Sequence, residues 1–531
     1  MDNVFTHVPY KETGYFSKLV TDYLSESNDI KPFYDFTPDA AGVAQAIKVR
    51  AAYPVDRKTL VATLSAQYGR LPRSGKTEVN IQSLLSENTF TICTAHQPNL
   101  LTGYLYFIYK ILHAIKLAEE LNITYPHKHF VPVYYMGSED NDLEELGMFR
   151  FRGEKYVWDG AGQTGAVGRM SPASLKPLLN ELFKTFGPPG SNCDELQALL
   201  TKAYLEHETI GAATKYLVNE LFGRYGLVVL DPDDAMLKAA FIPVVQDELL
   251  HQAANPIITK HIEALGANYK IQAHPREINL FYLNGQIRER IEKKDDKWVV
   301  LNSEIEFSEA GILAELNQHP ERFSPNVMLR GLFQETILPN VAFIGGGAEV
   351  AYWLQLNSLF KYYKVFYPAI LLRQSVLWID DAAAKLRRQS ELSIPDIFKP
   401  ELELERDYVT KHSGTEWQTK NETQAIEQIF NSLKQKATTL DPTLAAAADA
   451  ALTKMRHRLA ELEKKMLRAE KRKMQVQLER IDRFKKSLFA GNSLQERVEN
   501  FSGYYLDYGS SFFDTVKDAI KPLTSEFLII E

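Results

Sequence analysis

Apolar runs and amphipathic segments alternate along the first part of the chain. A β-branched run at 90–95 is followed by a turn-rich loop at 96–103, and then by residues 104–122, where leucine and isoleucine recur every three or four positions. A second apolar run lies at 130–137. This order of strand, loop, helix and strand predicts a βαβ unit, and hence a parallel, doubly wound sheet that binds ligands at the carboxyl ends of its strands.

The same pattern returns further along the chain. The apolar runs at 226–231 and 340–344 predict core strands, and a triple glycine at 345–347 follows the second run at the start of a helix. An Asn-Gly pair at 284–285, between alternating segments, predicts a β-hairpin. The apolar run at 369–379 predicts one last strand.

The C-terminal third has a different pattern, with apolar residues alternating three and four positions apart. From residue 443 to residue 490 the chain has no glycine or proline, which predicts a helix about 70 Å long with Asp441 as N-cap and Pro442 at its first position. The apolar seam loses its phase at Lys473. Residues 421–437 predict a shorter antiparallel partner, so we expect the overhang to pack on the core or on a second subunit, with homodimerisation through the coiled coil.

These patterns predict an α/β protein with a doubly wound parallel-sheet core, helical insertions and an antiparallel α-helical coiled-coil arm. The predicted segments are N-terminal helices with the first half of the core (1–150), a helical connective insertion (151–225), the second half of the core with a hairpin insertion (226–380), the arm (381–495) and a segment returning to the core (496–531).

Composition narrows the class of protein. Of 531 residues, 45% are hydrophobic and 24% charged, which is typical of a folded chain and excludes a disordered or collagen-like one. The net charge of −7 does not favour nucleic acid as a partner. Cys93 and Cys193 are too few for a disulfide framework. The N-terminus has no signal pattern and no apolar run is long enough to span a membrane, so we expect a cytoplasmic protein without a membrane partner.

Polar residues gather where the first predicted strand ends. His96, Gln97, Asn99 and Thr102 surround a helix N-terminus, whose free N–H groups favour an anion. The alternative is an ordinary turn in which Asn99 and Gly103 serve backbone geometry.

The second predicted strand ends in an acidic cluster, Ser138-Glu139-Asp140-Asn141-Asp142. One of its three carboxylates can act as a general base, or bind an ammonium group or a divalent metal. The alternative is a solvated turn with a helix cap. Since no zinc-type Cys/His spacing, Walker A motif or GxGxxG fingerprint is present, we assign no metal-ligand residues.

The triple glycine at 345–347 lets the backbone approach a ligand closely and opens a second helix N-terminus to an anion. Tight packing of strand against helix is the alternative. Arg330, upstream of these glycines, either contacts a ligand or forms a buried pair with Glu335. The candidates for substrate binding in this part of the chain are Asn326, Arg330, Gly345, Gly346, Gly347, Glu349 and Tyr352.

Four segments together resemble the family of cysteine-adding enzymes of bacillithiol biosynthesis, BshC. They are TAHQPNLLTGYLYFIYK, VPVYYMGSEDNDLEEL, PNVMLRGLFQETILPNVAFIGGGAEVAYWLQL and LQERVENFSGYYLDYG, in the family's order and over nearly the whole chain. The resemblance implies a Rossmann-like core with connective insertions and a coiled-coil arm. It also implies a ligase that adds cysteine to glucosaminyl malate in the last step of bacillithiol biosynthesis.

Two motifs depart from the family's pattern. His96-Gln97 stands where many members have Gln-Gln, and Glu139-Asp140-Asn141-Asp142 stands where they have Glu-Asp-His-Asp. If the family's general base is the histidine of the second motif, this chain lacks that base, because Asn141 stands at the position. The candidates for catalysis are therefore His96, Asp140 and Asp142.

The implied reaction needs an activated carboxyl group, because amide formation from a free carboxylate is uphill in water. ATP with magnesium is the candidate cosubstrate, through an acyl phosphate or acyl adenylate. The two loops would hold phosphate and malate carboxylates, Arg330 would add a bidentate contact, and Asp140 or Asp142 would take the amine proton. Tyr508 and Gly509 are the candidates for binding the adenine nucleotide, ATP or ADP.

Two other classes of function stay open from the residues. One is an acyl- or nucleotidyl-transferase on the same fold that uses a pre-activated donor. The other is a non-catalytic protein that binds RNA or a partner through the long helix, where thirteen Lys and Arg stand against seven Asp and Glu. A solvated coiled-coil face is the usual explanation of such charge.

Overall fold

A computed structural model describes residues 4–69, 71–72, 74–414 and 416–531. The chain folds into two compact units, one formed by the residues up to 377 together with 494–530, the other by 378–493 with residue 531. Within the described residues, no helix has the length and apolar character needed to cross a membrane.

The strands of the described chain carry these labels below: β1 (Phe5–Pro9), β2 (Thr89–His96), β3 (His129–Met136), β4 (Met148–Phe151), β5 (Glu154–Val157), β6 (Val228–Leu230), β7 (Leu280–Asn284), β8 (Ile287–Lys294), β9 (Lys297–Val300), β10 (Glu306–Ser308), β11 (Phe323–Pro325), β12 (Asn340–Gly345), β13 (Ala369–Leu372), β14 (Val376–Trp378) and β15 (Glu526–Ile530).

The helices are α1 (Tyr10–Thr13), α2 (Lys18–Leu24), α3 (Ala40–Arg50), α4 (Arg57–Gln67), α5 (Gly75–Ser83), α6 (Leu105–Thr124), α7 (Leu143–Leu146), α8 (Lys176–Lys184), α9 (Ser191–Leu205), α10 (Ile210–Phe222), α11 (Ala235–Ala239), α12 (Ile242–His251), α13 (Ala254–Gly266), α14 (Glu309–Gln318), α15 (Val327–Ile337), α16 (Gly347–Trp353), α17 (Asn357–Tyr363), α18 (Asp381–Gln389), α19 (Glu401–His412), α20 (Lys420–Leu440), α21 (Leu444–Lys473), α22 (Gln475–Leu488), α23 (Phe501–Tyr508) and α24 (Ser511–Ala519).

The core of the first unit is a five-stranded parallel sheet in the order β13-β12-β2-β3-β6. Its strands consist almost wholly of buried residues, as expected for a sheet with both faces covered. From the middle of the sheet, β2, β3 and β6 follow one another toward one edge, and β12 and β13 follow one another toward the opposite edge. The prediction of a doubly wound parallel sheet is therefore confirmed, and its switch point lies between β2 and β12.

The prediction of one strand over 369–379 is wrong. β13 ends at Leu372 in the parallel sheet, whereas β14 begins at Val376 and joins β15 and β1 in a separate three-stranded sheet. Three buried polar residues, 373–375, separate the two strands. Their side chains bind partners elsewhere in the chain, so the local apolar pattern does not continue through them.

The predicted hairpin is confirmed and belongs to a larger antiparallel sheet. β7 and β8 pair antiparallel, with Asn284 opposite Ile287, so the turn residues are Gly285 and Gln286. The full sheet has the order β10-β9-β8-β7-β11. It contributes one wall of the candidate site described below.

The second unit contains the predicted antiparallel coiled coil. α20 and α21 run antiparallel across a connection at 441–443, and two ion pairs join them, Arg456 with Glu427 and Lys434 with Asp449, each at 2.6 Å. The predicted N-cap is corrected, because Asp441 is the C-cap of α20 and the next helix begins at Leu444 with Thr443 as its N-cap.

The long helix of the arm is interrupted at Met474, beside the position where the apolar seam loses its phase. Beyond this break, the apolar side of α22 packs against α18 and α19 of the same unit. That part of the overhang is therefore covered within the unit itself. Homodimerisation through the arm stays a prediction.

Candidate active site

A cavity of about 970 Å³ lies at the carboxyl ends of the central strands. Its lining includes His96 at the end of β2, Glu139 after β3 and Gly346 after β12, together with Phe281 and Arg288 of the antiparallel sheet. The cavity therefore occupies the switch point, where ligands bind in doubly wound sheets.

The structure brings most of the predicted site residues to this cavity. Those that line it are His96, Gln97, Glu139, Asp140, Asp142, Asn326, Arg330, Gly346, Gly347, Glu349 and Tyr352. Those outside its lining are Asn99, Thr102, Gly103, Ser138, Gly345, Tyr508 and Gly509. The last two lie at the end of α23.

The chain itself caps the N-terminus of α6, which was predicted to bind an anion. The Leu105 N–H donates to the carbonyl of Glu499 at 2.8 Å, and Asn500 Nδ2 donates to two loop carbonyls, at Leu101 and Gly103. Thr102 and Gly103 have φ values of 64° and 67°, and the loop places Asn99 beneath Gly103. Asn99, Thr102 and Gly103 therefore lie in the turn before α6 and outside the cavity lining, and an anion at this helix N-terminus stays a prediction.

The N-terminus of α16, after the triple glycine, is also occupied. Glu349 Oε2 accepts the N–H of Gly346 at 2.8 Å and pairs with Lys110 Nζ, which also donates to the carbonyl of Ala95 at 3.0 Å. A Cβ on Gly345 would lie 2.8 Å from Glu349 Cβ, so this glycine serves close packing. An anionic ligand was predicted at this helix N-terminus, and the structure places the carboxylate of Glu349 there instead.

Two carboxylates of the acidic cluster line the cavity but are largely engaged by local hydrogen bonds. Asp140 Oδ1 accepts the N–H groups of Asn141 and Asp142, at 2.7 and 3.3 Å, and its Oδ2 accepts from Gln97 Nε2 at 3.1 Å. Asp142 Oδ1 accepts the N–H of Glu145 at 3.1 Å and caps α7. The turn-and-cap interpretation thus describes both aspartates.

Glu139 has a different environment, because a buried network of charges holds it. Lys238 Nζ donates to Glu139 Oε1 and lies 3.5 Å from Asp233 Oδ1, while Arg169 binds Asp233 with two contacts of 2.7 Å. Burial raises the pKa of Glu139; the charge of Asp233 adds to this shift and that of Lys238 opposes it. Ser138 anchors the same segment by donating to Asp231 Oδ1 at 2.5 Å.

His96 is a neutral ring in the cavity wall. Its ring packs edge-on against Tyr106 with centroids 5.3 Å apart, and burial together with nearby Lys110, Arg330 and Arg373 holds its pKa well below the ordinary value. Among the described residues, its buried Nε2 has no hydrogen-bond partner. The ring can thus bind a ligand, but it is a weak base.

The cavity is lined by more cationic than acidic side chains, seven Lys and Arg against five Asp and Glu among the described residues. The sequence interpretation named only Arg330 of these cations. The others are Lys110, Arg276, Arg288, Arg290, Arg373 and Arg497. The sequence contained a sign of two of these cations. Arg288 and Arg290 are two residues apart on a predicted strand, so their side chains share one face of the sheet.

The arginines fall into two groups by their partners. Arg373 forms two contacts, of 2.6 and 2.7 Å, with the carboxylate of Glu496, and both side chains are almost fully buried. Arg330 donates to the Tyr352 hydroxyl at 2.6 Å. No ion pair joins Arg276, Arg290, Arg330 or Arg497 to a carboxylate of the described chain, so these guanidinium groups are available to an anionic ligand.

The lining does not form a ready-made metal site. Within the ranges that the structure describes, no three His, Cys, Asp or Glu side chains are grouped so as to hold a metal ion. Magnesium, which keeps water and phosphate ligands, would need only one or two of the cavity carboxylates.

A doubly wound sheet with a polar cavity at its switch point is typical of α/β enzymes that bind small molecules. Comparison with known families agrees. The model of "Bacillithiol biosynthesis BshC, N-terminal Rossmann-like domain" matches residues 4–374, and that of the C-terminal coiled-coil domain matches residues 376–531. The chain belongs to the BshC family of bacillithiol biosynthesis.

Individual relatives are similar over nearly their whole length. A protein of Flavobacterium johnsoniae is 41% identical over 525 residues, covering 98% of this chain and 99% of that one. One of Christiangramia forsetii is 40% identical, with 98% of each chain covered. Both carry the name "Putative cysteine ligase BshC".

Proposed function

We propose that this protein is a ligase that joins the carboxyl group of cysteine to the amine of glucosaminyl malate, the last step of bacillithiol biosynthesis. The observation that carries the proposal is the cavity at the switch point, where unpaired arginines and an acidic cluster lie together in a chain of this family. The name of its relatives supports the choice of cysteine.

The chemistry of the lining suits the proposed acceptor. Glucosaminyl malate carries two carboxylates on its malate part and one amine on its sugar. Arg330 and Arg497 offer planar, bidentate donors for carboxylates, whereas the carboxylates of Glu139 and Asp140 attract an ammonium group. A cavity of about 970 Å³ is large enough for an acceptor of this size with a second substrate beside it.

Activation of the cysteine carboxyl group is the step that needs energy. In the proposed reaction ATP supplies it, giving an acyl phosphate or an acyl adenylate. The amine nitrogen then attacks the acyl carbon, the C–N bond forms, and the C–O bond to phosphate or AMP breaks. Arginines that lack ion pairs suit phosphate oxygens as well as carboxylates. The adenine site at Tyr508 and Gly509 stays a prediction.

The test is mass spectrometry of the purified protein with cysteine and glucosaminyl malate, with and without ATP and magnesium. The expected result is bacillithiol with one equivalent of ADP or AMP. Bacillithiol formed without nucleotide consumption would instead favour an acyltransferase with a pre-activated donor. No product with or without ATP would refute both assignments.

Two variants link the activity to the cavity. Arg330→Ala is expected to lower product formation strongly. Arg322→Ala is the matched control, because Arg322 pairs with Glu315 at 2.6 Å and does not line the cavity. Equal activity of Arg330→Ala and Arg322→Ala would show that the reaction does not take place in this cavity.

A further inference from the structure

We infer that Glu139, held in place by Lys238, is the group that accepts the amine proton during bond formation, in place of Asp140 or Asp142. This inference rests on the proposed ligase function. It assigns Glu139 as a catalytic residue and Lys238 as a positioning residue.

Hydrogen bonding and burial together distinguish the three carboxylates. Asp140 uses Oδ1 for two backbone N–H groups and Oδ2 for Gln97, whereas Asp142 is exposed to solvent and caps a helix through Oδ1. Glu139 binds Lys238 through Oε1, whereas no described residue donates a hydrogen bond to its Oε2. Because Glu139 lines the cavity, Oε2 is the oxygen left for a ligand.

Lys238 is built into the core rather than placed at the surface. Its side chain is only 3% exposed, and its ammonium group also donates to the carbonyl of Glu321 at 3.0 Å. Asp233 lies 3.5 Å from the same ammonium group and is itself held by two contacts with Arg169, so its negative charge helps to balance the two cations, Lys238 and Arg169. A side chain fixed by such contacts holds its carboxylate partner in one orientation, which proton transfer requires.

The charges around Glu139 come from several elements. Lys238 lies on α11, Asp233 on the loop before it, and Arg288 on β8. The groups that act electrostatically on Glu139 or are acted on by it are Lys238, Asp233, Arg288, Arg169 and Tyr135. Burial and the charge of Asp233 raise the pKa of Glu139, and the charges of Lys238 and Arg288 oppose that shift and favour the ionised carboxylate.

The proton and electron balance of the step is simple. The amine nitrogen gives its lone pair to the acyl carbon, and the C–O bond to the phosphate leaving group breaks with its electron pair on oxygen. The proton leaves nitrogen for Glu139 Oε2. The donor is the acyl phosphate or acyl adenylate made from cysteine and ATP in the proposed function.

The experiment measures kcat and KM for glucosaminyl malate from pH 5.5 to 9 in the wild type, Glu139→Gln, Lys238→Met and Lys238→Arg. Glu139→Gln is expected to lower kcat by about 10²–10⁴-fold with a small change in KM, because general base catalysis contributes that much. In Lys238→Met the acidic limb of the kcat/KM profile should move to higher pH by about one unit or more, and Lys238→Arg should restore it.

Lys485→Met is the matched control for loss of a buried lysine, since Lys485 Nζ binds two backbone carbonyls and forms no ion pair with a carboxylate of the described residues. It should leave the acidic limb in place. The inference is overturned if Glu139→Gln keeps more than half of the wild-type kcat, or if Lys238→Met is slower with an unmoved limb. An inactive wild type would instead refute the proposed function, and the catalytic role with it.

Discussion

Glu496→Gln is expected to destabilise the unit that holds the cavity by about 3–5 kcal/mol, because it removes one partner of a buried ion pair. The Arg373 and Glu496 side chains are 3% and 1% exposed, and their two contacts measure 2.6 and 2.7 Å. Arg373 Nε has no hydrogen-bond partner among the described residues. The variant would therefore leave a buried guanidinium group with little to replace the lost charge.

Equilibrium unfolding in urea, followed by tryptophan fluorescence and circular dichroism, measures this loss. The double variant Arg373→Met/Glu496→Met should recover much of the stability, since a buried pair replaced by apolar side chains leaves no isolated charge. Glu306→Gln breaks an exposed pair with Lys297 and should not move the midpoint measurably. A loss below about 1 kcal/mol in Glu496→Gln would refute the reasoning.

Three other changes have defined expected outcomes. Burial raises the pKa of Glu335 from its ordinary value of 4.5 to about 7, so between these pH values the folded state binds a proton that the unfolded state has lost. The free energy of unfolding should therefore fall as pH rises from 5 to about 7 and level off above it, and Glu335→Gln should abolish this fall in unfolding measured from pH 5 to 8. Arg330→Lys should raise KM for glucosaminyl malate about tenfold while kcat changes less, since lysine cannot form a bidentate carboxylate contact. Gly103→Ala should cost about 1–2 kcal/mol in thermal unfolding, because φ is 67° and the new Cβ would lie 3.0 Å from Asn99 Cβ.

The parallel sheet could be predicted because its strands are uninterrupted buried runs followed by helices. Where that condition fails, prediction from the local pattern fails too. The run at 369–379 looks like one strand, but Arg373 ends its first half by pairing with Glu496, more than a hundred residues away. A contact of that separation leaves no signal in a local hydrophobic pattern.

The sequence predicted the position of the candidate site from its loops, but it did not predict most of the cationic side chains that line the cavity. The loops could be placed because the carboxyl ends of parallel strands meet at one edge of the sheet. The arginines reach the cavity from separate elements, such as Arg276 before β7, Arg288 on β8 and Arg497 after the arm. Only the tertiary fold brings them together.

The two helix N-termini illustrate a further physical limit. Free N–H groups favour an acceptor, and for this reason the sequence predicted an anion at each helix N-terminus. It could not indicate that the acceptors are the protein's own Glu349 carboxylate and Glu499 carbonyl. Arg330 and Arg497, in contrast, line the cavity without an ion pair among the described residues.

The contacts of the C-terminal segment also show that the cavity does not belong to one family domain. The two family models meet at residues 374–376, which puts Arg373 in the first and Glu496 and Arg497 in the second. In the structure, residues 494–530 form one compact unit with the chain up to 377.

Each contact of this returning segment supports the cavity in a different way. Arg497 lines it, Glu496 holds Arg373 in its wall, and the carbonyl of Glu499 caps α6. A chain that ended before the arm would leave a buried guanidinium group without its carboxylate and a helix N-terminus without its acceptor. The return of the chain after the arm is therefore a structural requirement of the site.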